Sequence, residues 1–366
     1  MRSFKAINKH QSGFVLLQVM LVFSILIVIV AQLQYKQRVH IERVRQSLFL
    51  SQAQSYVDGA VSLAQSGLTA DRKVRGGDHL REIWNRPFSA PMTDDGTWTL
   101  YLSLDDLQGR FNINWLAMTS SNRQGAQKAF SKLLSLLSAD SEIATELYNW
   151  FDADSGIDYD YAELDPSYAP SFHEMADISE LMLLNAVDRD QYELIFPFLS
   201  ALPADSKLNI NTAPEEVIAS IADFISIDDA QAAVSIRDDH FNEVTFEGGF
   251  ASLDEFKNMT VFNNNKNKDT YLPLTELTLD SEWFDLYASV KNEDLEFQQR
   301  DVIYRNSAGE TTITLVDRAV TDSNPIPHDP EKSIPASETQ NSESAQGSQG
   351  PGVQSGNGQS NGGDRE

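Results

Sequence analysis

Between Asp152 and Asp165 the chain reads Asp-Ala-Asp-Ser-Gly-Ile-Asp-Tyr-Asp-Tyr-Ala-Glu-Leu-Asp, a run of carboxylates around a single glycine. A hard cation such as calcium takes roughly six to eight oxygens at about 2.3–2.6 Å and tolerates irregular geometry, so alternating acidic side chains on a glycine-containing loop suit it. The candidate ligands are Asp152, Asp154, Asp158, Asp160, Glu163 and Asp165. The spacing is not that of an EF-hand, because Ser155-Gly156 follows the second Asp at once. A solvated acidic loop has the same composition, and the residues alone leave both readings open.

Two further stretches invite chemistry and withhold it. His173-Glu174-Met175-Ala176-Asp177 resembles a zinc-protease helix, but its second ligand would be Asp177, no further ligand pair is evident, and Pro170 precedes it. Asp177 is explained more cheaply as a helix N-cap, with Glu180 completing a capping box; Thr212 to Glu215 reads as a second box. Leu208-Asn209-Ile210-Asn211-Thr212-Ala213 followed by Ala230 to Arg237 and Gly249 to Leu253 is similar to helix-hairpin-helix domains that bind DNA. Such domains hold phosphate on the backbone amides of a glycine-rich hairpin. Here the hairpin, Phe224 to Asp229, is acidic and carries no glycine, so a helical scaffold without nucleic-acid binding is expected. No phosphate loop, Ser/His/Asp arrangement or dinucleotide fingerprint is visible. The chain has no cysteine, which removes disulfides and thiolate chemistry. Its net charge of −26 disfavours polyanions as partners.

The elements that must position these residues hang from one stretch. Gln11 to Tyr35 carries no charge and is almost entirely aliphatic from Phe14 to Ala31. At about 1.5 Å per residue, some twenty such residues cross a bilayer core of roughly 30 Å. Arg2, Lys5, Lys9 and His10 precede it and mark the cytoplasmic side, so the chain after about Tyr35 is expected outside the inner membrane, in the periplasm. The apolar run exceeds a signal-peptide core of about 7–15 residues, and Ile29-Val30-Ala31 is a poor cleavage site. Ser12-Gly13-Phe14 instead resembles the type IV prepilin leader, which implies that a membrane prepilin peptidase cuts after Gly13 and methylates Phe14. In that family a Glu stands five residues into the mature chain, where this chain has Gln18.

The helical pattern continues past the membrane to about residue 70. Asp71 to Asp95 is loop-like, and Thr97 to Leu104 alternates as a half-buried strand. Asp106-Leu107-Gln108-Gly109-Arg110-Phe111-Asn112-Ile113-Asn114 follows, where Gly109 marks a bulge or a close backbone approach. Residues 115–276 read as helical pieces, with Phe130, Leu133, Leu134 and Leu137 at core spacing. Strands are expected at Trp283 to Val290, Leu295 to Tyr304 and Thr311 to Arg318; from Thr321 the composition is that of a disordered tail.

The leader, Gln18, the Asp106–Asn114 segment, Trp150-Phe151-Asp152-Ala153-Asp154 with Ala162-Glu163 and Ser179-Glu180-Leu181, and the Leu208–Ala213 run resemble, in that order, the K-type minor pseudopilins of type II secretion. The resemblance implies an α+β, type IV pilin-like fold: a long N-terminal transmembrane helix (14–70) on an antiparallel sheet (71–114 and 277–320), with a large all-helical, helix-hairpin-helix-like insertion (115–276). It implies calcium on Asp152, Asp154 and Glu163, with Asp158, Asp160 and Asp165 added by proximity alone. The implied partners are the I- and J-type minor pseudopilins, and the implied role is to cap and initiate the pseudopilus, not to catalyse. A membrane-anchored calcium-dependent adhesin with a pilin leader is the alternative.

Overall fold

The helix α1 runs over Gln11–Val74, longer than its sequence pattern by one turn. The computed structural model describes residues 11–74, 77–94, 96–242, 248–265, 268, 270–292 and 295–321; the basic flank Arg2 to His10 and the tail beyond Thr321 lie outside them. Every residue from Phe14 to Arg38 is exposed, as a segment surrounded by lipid would be. Higher up, Phe49, Ala53, Val57, Ala60, Val61 and Leu68 recur at helical spacing and are buried. Their small alanines let the helix lie close on a sheet.

That sheet is antiparallel and has the order β1-β2-β7-β8-β9. Its strands are β1 (Phe88–Pro91), β2 (Trp98–Asp106), β7 (Trp283–Asn292), β8 (Leu295–Arg305) and β9 (Thr311–Thr321). Leu100, Leu104, Phe284, Leu286, Ala288, Val290, Phe297 and Ile303 form the inner face and share one hydrophobic cluster with α1. Alternation sends Tyr101, Ser103 and Asp105 to the other face. The edge strand β1 falls in a stretch read as loop, because four residues ending in Pro91 carry too little pattern to show.

Because β2 pairs directly with β7, with Leu104 opposite Leu286, the chain leaves the sheet at Asp106 and returns at Trp283. Between them lie two short parallel pairs, β3 (Phe111–Asn112) with β4 (Leu199–Ser200) and β5 (Leu208–Asn209) with β6 (Leu277–Thr278). The rest is helical: α2 (Arg123–Leu137), α3 (Glu142–Trp150), α4 (Asp158–Ala162), α5 (Arg189–Ile195), α6 (Glu215–Ser220), α7 (Ile227–Asp239), α8 (Leu253–Lys257) and α9 (Thr260–Asn264). This helical body has its own core, built on Phe111, Phe130, Leu133, Leu134, Leu147, Trp150 and Ile218.

The end of the sheet nearer the apolar span is fixed by Phe49 against Trp98, ring centroids 5.1 Å apart. At the other end Arg305 donates to the carbonyl of Leu68 at 3.2 Å. The nineteen helical steps from Phe49 to Leu68 span about 29 Å at 1.5 Å each, so the helical body joins the sheet at the end remote from the apolar span.

Candidate functional site

The acidic loop is built on apolar residues, and a few polar contacts hold it to them. Trp150, Phe151, Ile157 and Tyr161 are buried, and the Trp150 and Tyr161 rings meet edge to face at 5.1 Å. Asp152 therefore starts at a fixed point, the C-terminus of α3. Arg123, in the first turn of α2, lies over the Tyr148 ring at 3.5 Å, donates to the carbonyls of Leu116 and Tyr148 at 2.8 and 2.6 Å, and reaches Asp152 Oδ2 at 3.4 Å. Asp152 Oδ1 accepts from the Asp154 amide at 3.0 Å. Ser155 Oγ donates to the Asp152 carbonyl at 2.6 Å, and Gly156, at φ +77°, turns the chain into α4.

Asp152 and Asp158 are half-buried, while Asp154, Asp160, Glu163 and Asp165 are exposed. No three of these carboxylates bring ligand atoms within 4.8 Å of one another; among the described residues only Asp71, Asp78 and Glu82 do so. Beside the loop lies a cleft of about 450 Å³ lined by Glu142, Glu146, Asn149, Asp160 and Asn185. Glu146 was not singled out from sequence. Its carboxylate accepts from the Tyr161 hydroxyl and from the Asn185 and Ala186 amides at 2.8 and 2.7 Å, tying the loop to the segment after residue 184. Burial, reinforced by Glu146, pushes the Tyr161 phenol well above its usual range. Arg123, at the start of α2, was not singled out from sequence either, since its carbonyl and Asp152 partners are distant along the chain.

The protease-like stretch is not a helix. Glu174 accepts from Thr119 Oγ1 at 2.6 Å and the Ala204 amide at 3.1 Å. Asp177 caps a 3-10 helix over Ile178–Leu183 in a capping box with Glu180, and its other oxygen meets Arg300 of β8 at 3.1 Å. Burial opposes its charge, but the bonds from Ser179 and the Arg300 guanidinium hold its carboxyl below the usual range.

The second expected capping box, at Thr212, is corrected. The N-cap of α6 is Pro214, without a side-chain cap bond, and the Thr212 hydroxyl donates instead to Asp106. That contact belongs to a junction joining two motifs that looked separate in sequence. Asp106, wholly buried at the end of β2, also accepts from Ser281 Oγ at 2.5 Å, the Gln108 amide at 2.8 Å and Asn209 Nδ2 at 3.3 Å. Desolvation raises its pKa from 3.8 to about 6, against those hydrogen bonds, with Asp78 adding repulsion. Asn112 Oδ1 accepts from the Leu202 amide at 3.0 Å, and Asn114 Nδ2 donates to the carbonyls of Met175 and Leu202, both at 2.9 Å. Gly109 is a close approach and not a bulge: a Cβ there would lie 2.7 Å from Thr212 Oγ1. Behind the junction Arg305, fully buried, bonds both oxygens of Asp78 at 2.6 and 2.7 Å and reaches Asp71 at 3.6 Å, so two of the three carboxylates of the Asp71–Asp78–Glu82 cluster are ion-paired to it.

The helical hairpin presents carbonyls, not amides. Lys132 Nζ donates to the carbonyls of Ala222 and Ile225, both at 2.6 Å, and burial lowers its pKa. Ser226 and Asp229 form a capping box at the start of α7, so a phosphate there would meet Asp228 and Asp229.

Two family models, both described as type II secretion system protein K, match residues 109–204 and 208–274. The chain is similar to the type II secretion system protein K of Pseudomonas aeruginosa, 32% identical over 282 residues covering 72% of this chain and 81% of the relative. It is also 27% identical to that of Pectobacterium carotovorum subsp. carotovorum, over 81% of this chain and 93% of the relative. In fold it resembles a chain of the GspK-GspI-GspJ complex from the type 2 secretion system of enterotoxigenic Escherichia coli, with a TM-score of 0.62 and 23% identity, over 77% of this chain and 100% of that one.

Proposed function

The chain belongs to the family of type II secretion system protein K, and from that premise we propose that it is a minor pseudopilin that caps the tip of the periplasmic pseudopilus and initiates its assembly. In this reading α1 and the five-stranded sheet are a pilin-like body with an inserted helical domain, anchored in the inner membrane by Phe14 to Tyr35. Prepilin peptidase removes residues 1–13 by cutting between Gly13 and Phe14. The protein acts by assembly and is not an enzyme.

The observation that carries the tip position is where the helical body joins. It enters and leaves the sheet at Asp106 and Trp283, level with Ile303 and Tyr304 and so beside the point where Arg305 meets the Leu68 carbonyl, at the end remote from the membrane span. A subunit stacked above would collide with it. Gln18 points the same way: a neutral side chain cannot supply a carboxylate to a neighbour's terminal amine, which suits a subunit with no neighbour at that point. A charge in hydrocarbon costs several kcal/mol unless paired, so its loss is tolerable only where no pairing is needed. The partners are then the I- and J-type minor pseudopilins, the company named for the structurally similar chain.

The acidic loop is the calcium site of this reading, with Asp152, Asp154 and Glu163 as ligands and Asp158, Asp160 and Asp165 nearby. Supporting it, Arg123 is the one cation paired with these carboxylates among the described residues, so like charges repel in the ion-free loop. A divalent ion would draw them together over the fixed Trp150–Tyr161 base. Gold labelling of this chain on purified pseudopili tests the function: one label at one end is expected, and decoration along the shaft would refute it.

A further inference from the structure

Directly above the apolar span the helix turns basic. Lys36, Arg38, Arg43 and Arg45 follow Tyr35 within ten residues, with Glu42 as the single acid among them, and all five side chains are exposed. At 3.6 residues per turn, Lys36 and Arg43 share one face with His40, while Arg38 and Arg45 lie about 180–200° around. Glu42 falls on the Arg38 and Arg45 side, where Arg45 and Glu42 also line a groove with Phe49, Trp98 and Leu295. The cations thus lie on two opposite faces of α1. A docked protein would touch one face of a lone helix, whereas a layer of ligands surrounds it.

Height gives the second argument. If Tyr35 ends the hydrocarbon segment, Lys36 and Arg38 stand about 1.5–5 Å above it, inside a headgroup layer of roughly 5–7 Å. Arg43 and Arg45 stand about 12–15 Å up, near the edge of the field at physiological salt. Helical side chains lean toward the N-terminus, here toward the membrane. The head bears the opposite sign: residues 142–190 hold thirteen Asp or Glu against one Arg. The mature chain would also have lost Arg2, Lys5 and Lys9 with the leader, leaving this collar as its only basic cluster at the bilayer.

We infer that Lys36 and Arg38, backed by Arg43 and Arg45, form a collar that binds anionic phospholipid headgroups of the outer leaflet. It sets the depth of the helix and holds the acidic head clear of the surface. The inference rests on the reading of Phe14 to Tyr35 as the embedded span.

The test uses the full chain in vesicles of phosphatidylcholine and of equimolar phosphatidylcholine and phosphatidylglycerol. Flotation reports insertion, and native mass spectrometry reports which lipid stays bound. The wild type should retain phosphatidylglycerol preferentially. Each headgroup-level cation is worth roughly fivefold, so Lys36→Gln with Arg38→Gln should reduce the preference by more than tenfold, and Arg43→Gln by less than about twofold. Failure to float with either vesicle would overturn the anchoring itself. Flotation with both but no lipid preference, or equal losses from the Arg43 and the double variants, would overturn the collar alone. So would a preference that emerges only when the chain is ended after Thr321, since the acidic tail would then be the collar's occupant.

Discussion

Replacing Asp106 by Asn tests the junction most sharply, because the wild-type side chain titrates in place and the amide cannot. Burial raises the folded carboxyl from 3.8 to about 6. Between those values the folded chain binds the extra proton, so the stability this group contributes is complete below about pH 4 and is lost as pH rises through 6. A shift of about two units corresponds to about 3 kcal/mol. At pH 7 the variant escapes that ionisation cost but cannot satisfy every donor: its oxygen can face Thr212, Ser281 and Asn209 as Oδ2 does, which sets its nitrogen against the Gln108 N–H. A charge-assisted bond contributes about 1.5–3 kcal/mol, so the lost Gln108 bond roughly offsets the gain at neutral pH and only the pH slope decides. Urea unfolding of both proteins at pH 4, 5, 6 and 7, followed by tryptophan fluorescence, gives that slope; other groups titrate in both and cancel. The wild type should gain about 2.5 kcal/mol over Asp106→Asn between pH 7 and pH 4. Parallel curves, or a wild type that gains on the variant as pH rises, would refute the buried, desolvated carboxyl.

Three other outcomes are expected. Gly109→Ala should destabilise by about 1–3 kcal/mol, because the new methyl meets Thr212 backbone as well as its hydroxyl, while Gly59→Ala, with nothing within 4 Å on α1, should stabilise by up to about 1 kcal/mol in the same urea assay. Arg305→Leu should cost about 3–5 kcal/mol by stranding Asp78, and adding Asp78→Leu should recover part of it; an additive double variant would deny the pair. Calcium at a hundred times its dissociation constant should add about 2.7 kcal/mol of stability. Asp152→Asn should abolish that gain, and an equal melting shift from magnesium would reduce the loop to a solvated one.

Local pattern alone located the long helix and the four long strands. The uncharged run to Tyr35 placed the long apolar helix, and period-two alternation placed β2 and β7 to β9 within two or three residues of their ends, because both signals are complete within a short window of chain. The Asp177 capping box was legible for the same reason, its donors and acceptors lying three residues apart. Interactions between distant residues were not. Thr212 has the local signature of a cap, yet its hydroxyl is drawn to a carboxylate 106 residues earlier, since a buried carboxylate without donors costs far more than an uncapped turn. The Asp106–Asn114 and Leu208–Ala213 motifs looked like two signals and are one junction, and Gly109 is glycine because Thr212 backbone passes against it. Likewise, nothing near Arg123 or Glu146 in sequence marks them as the residues that hold the acidic loop. Hydrophobic periodicity is written along the chain, whereas the partner of a buried polar group is settled only when the sheet and the helical body close on each other.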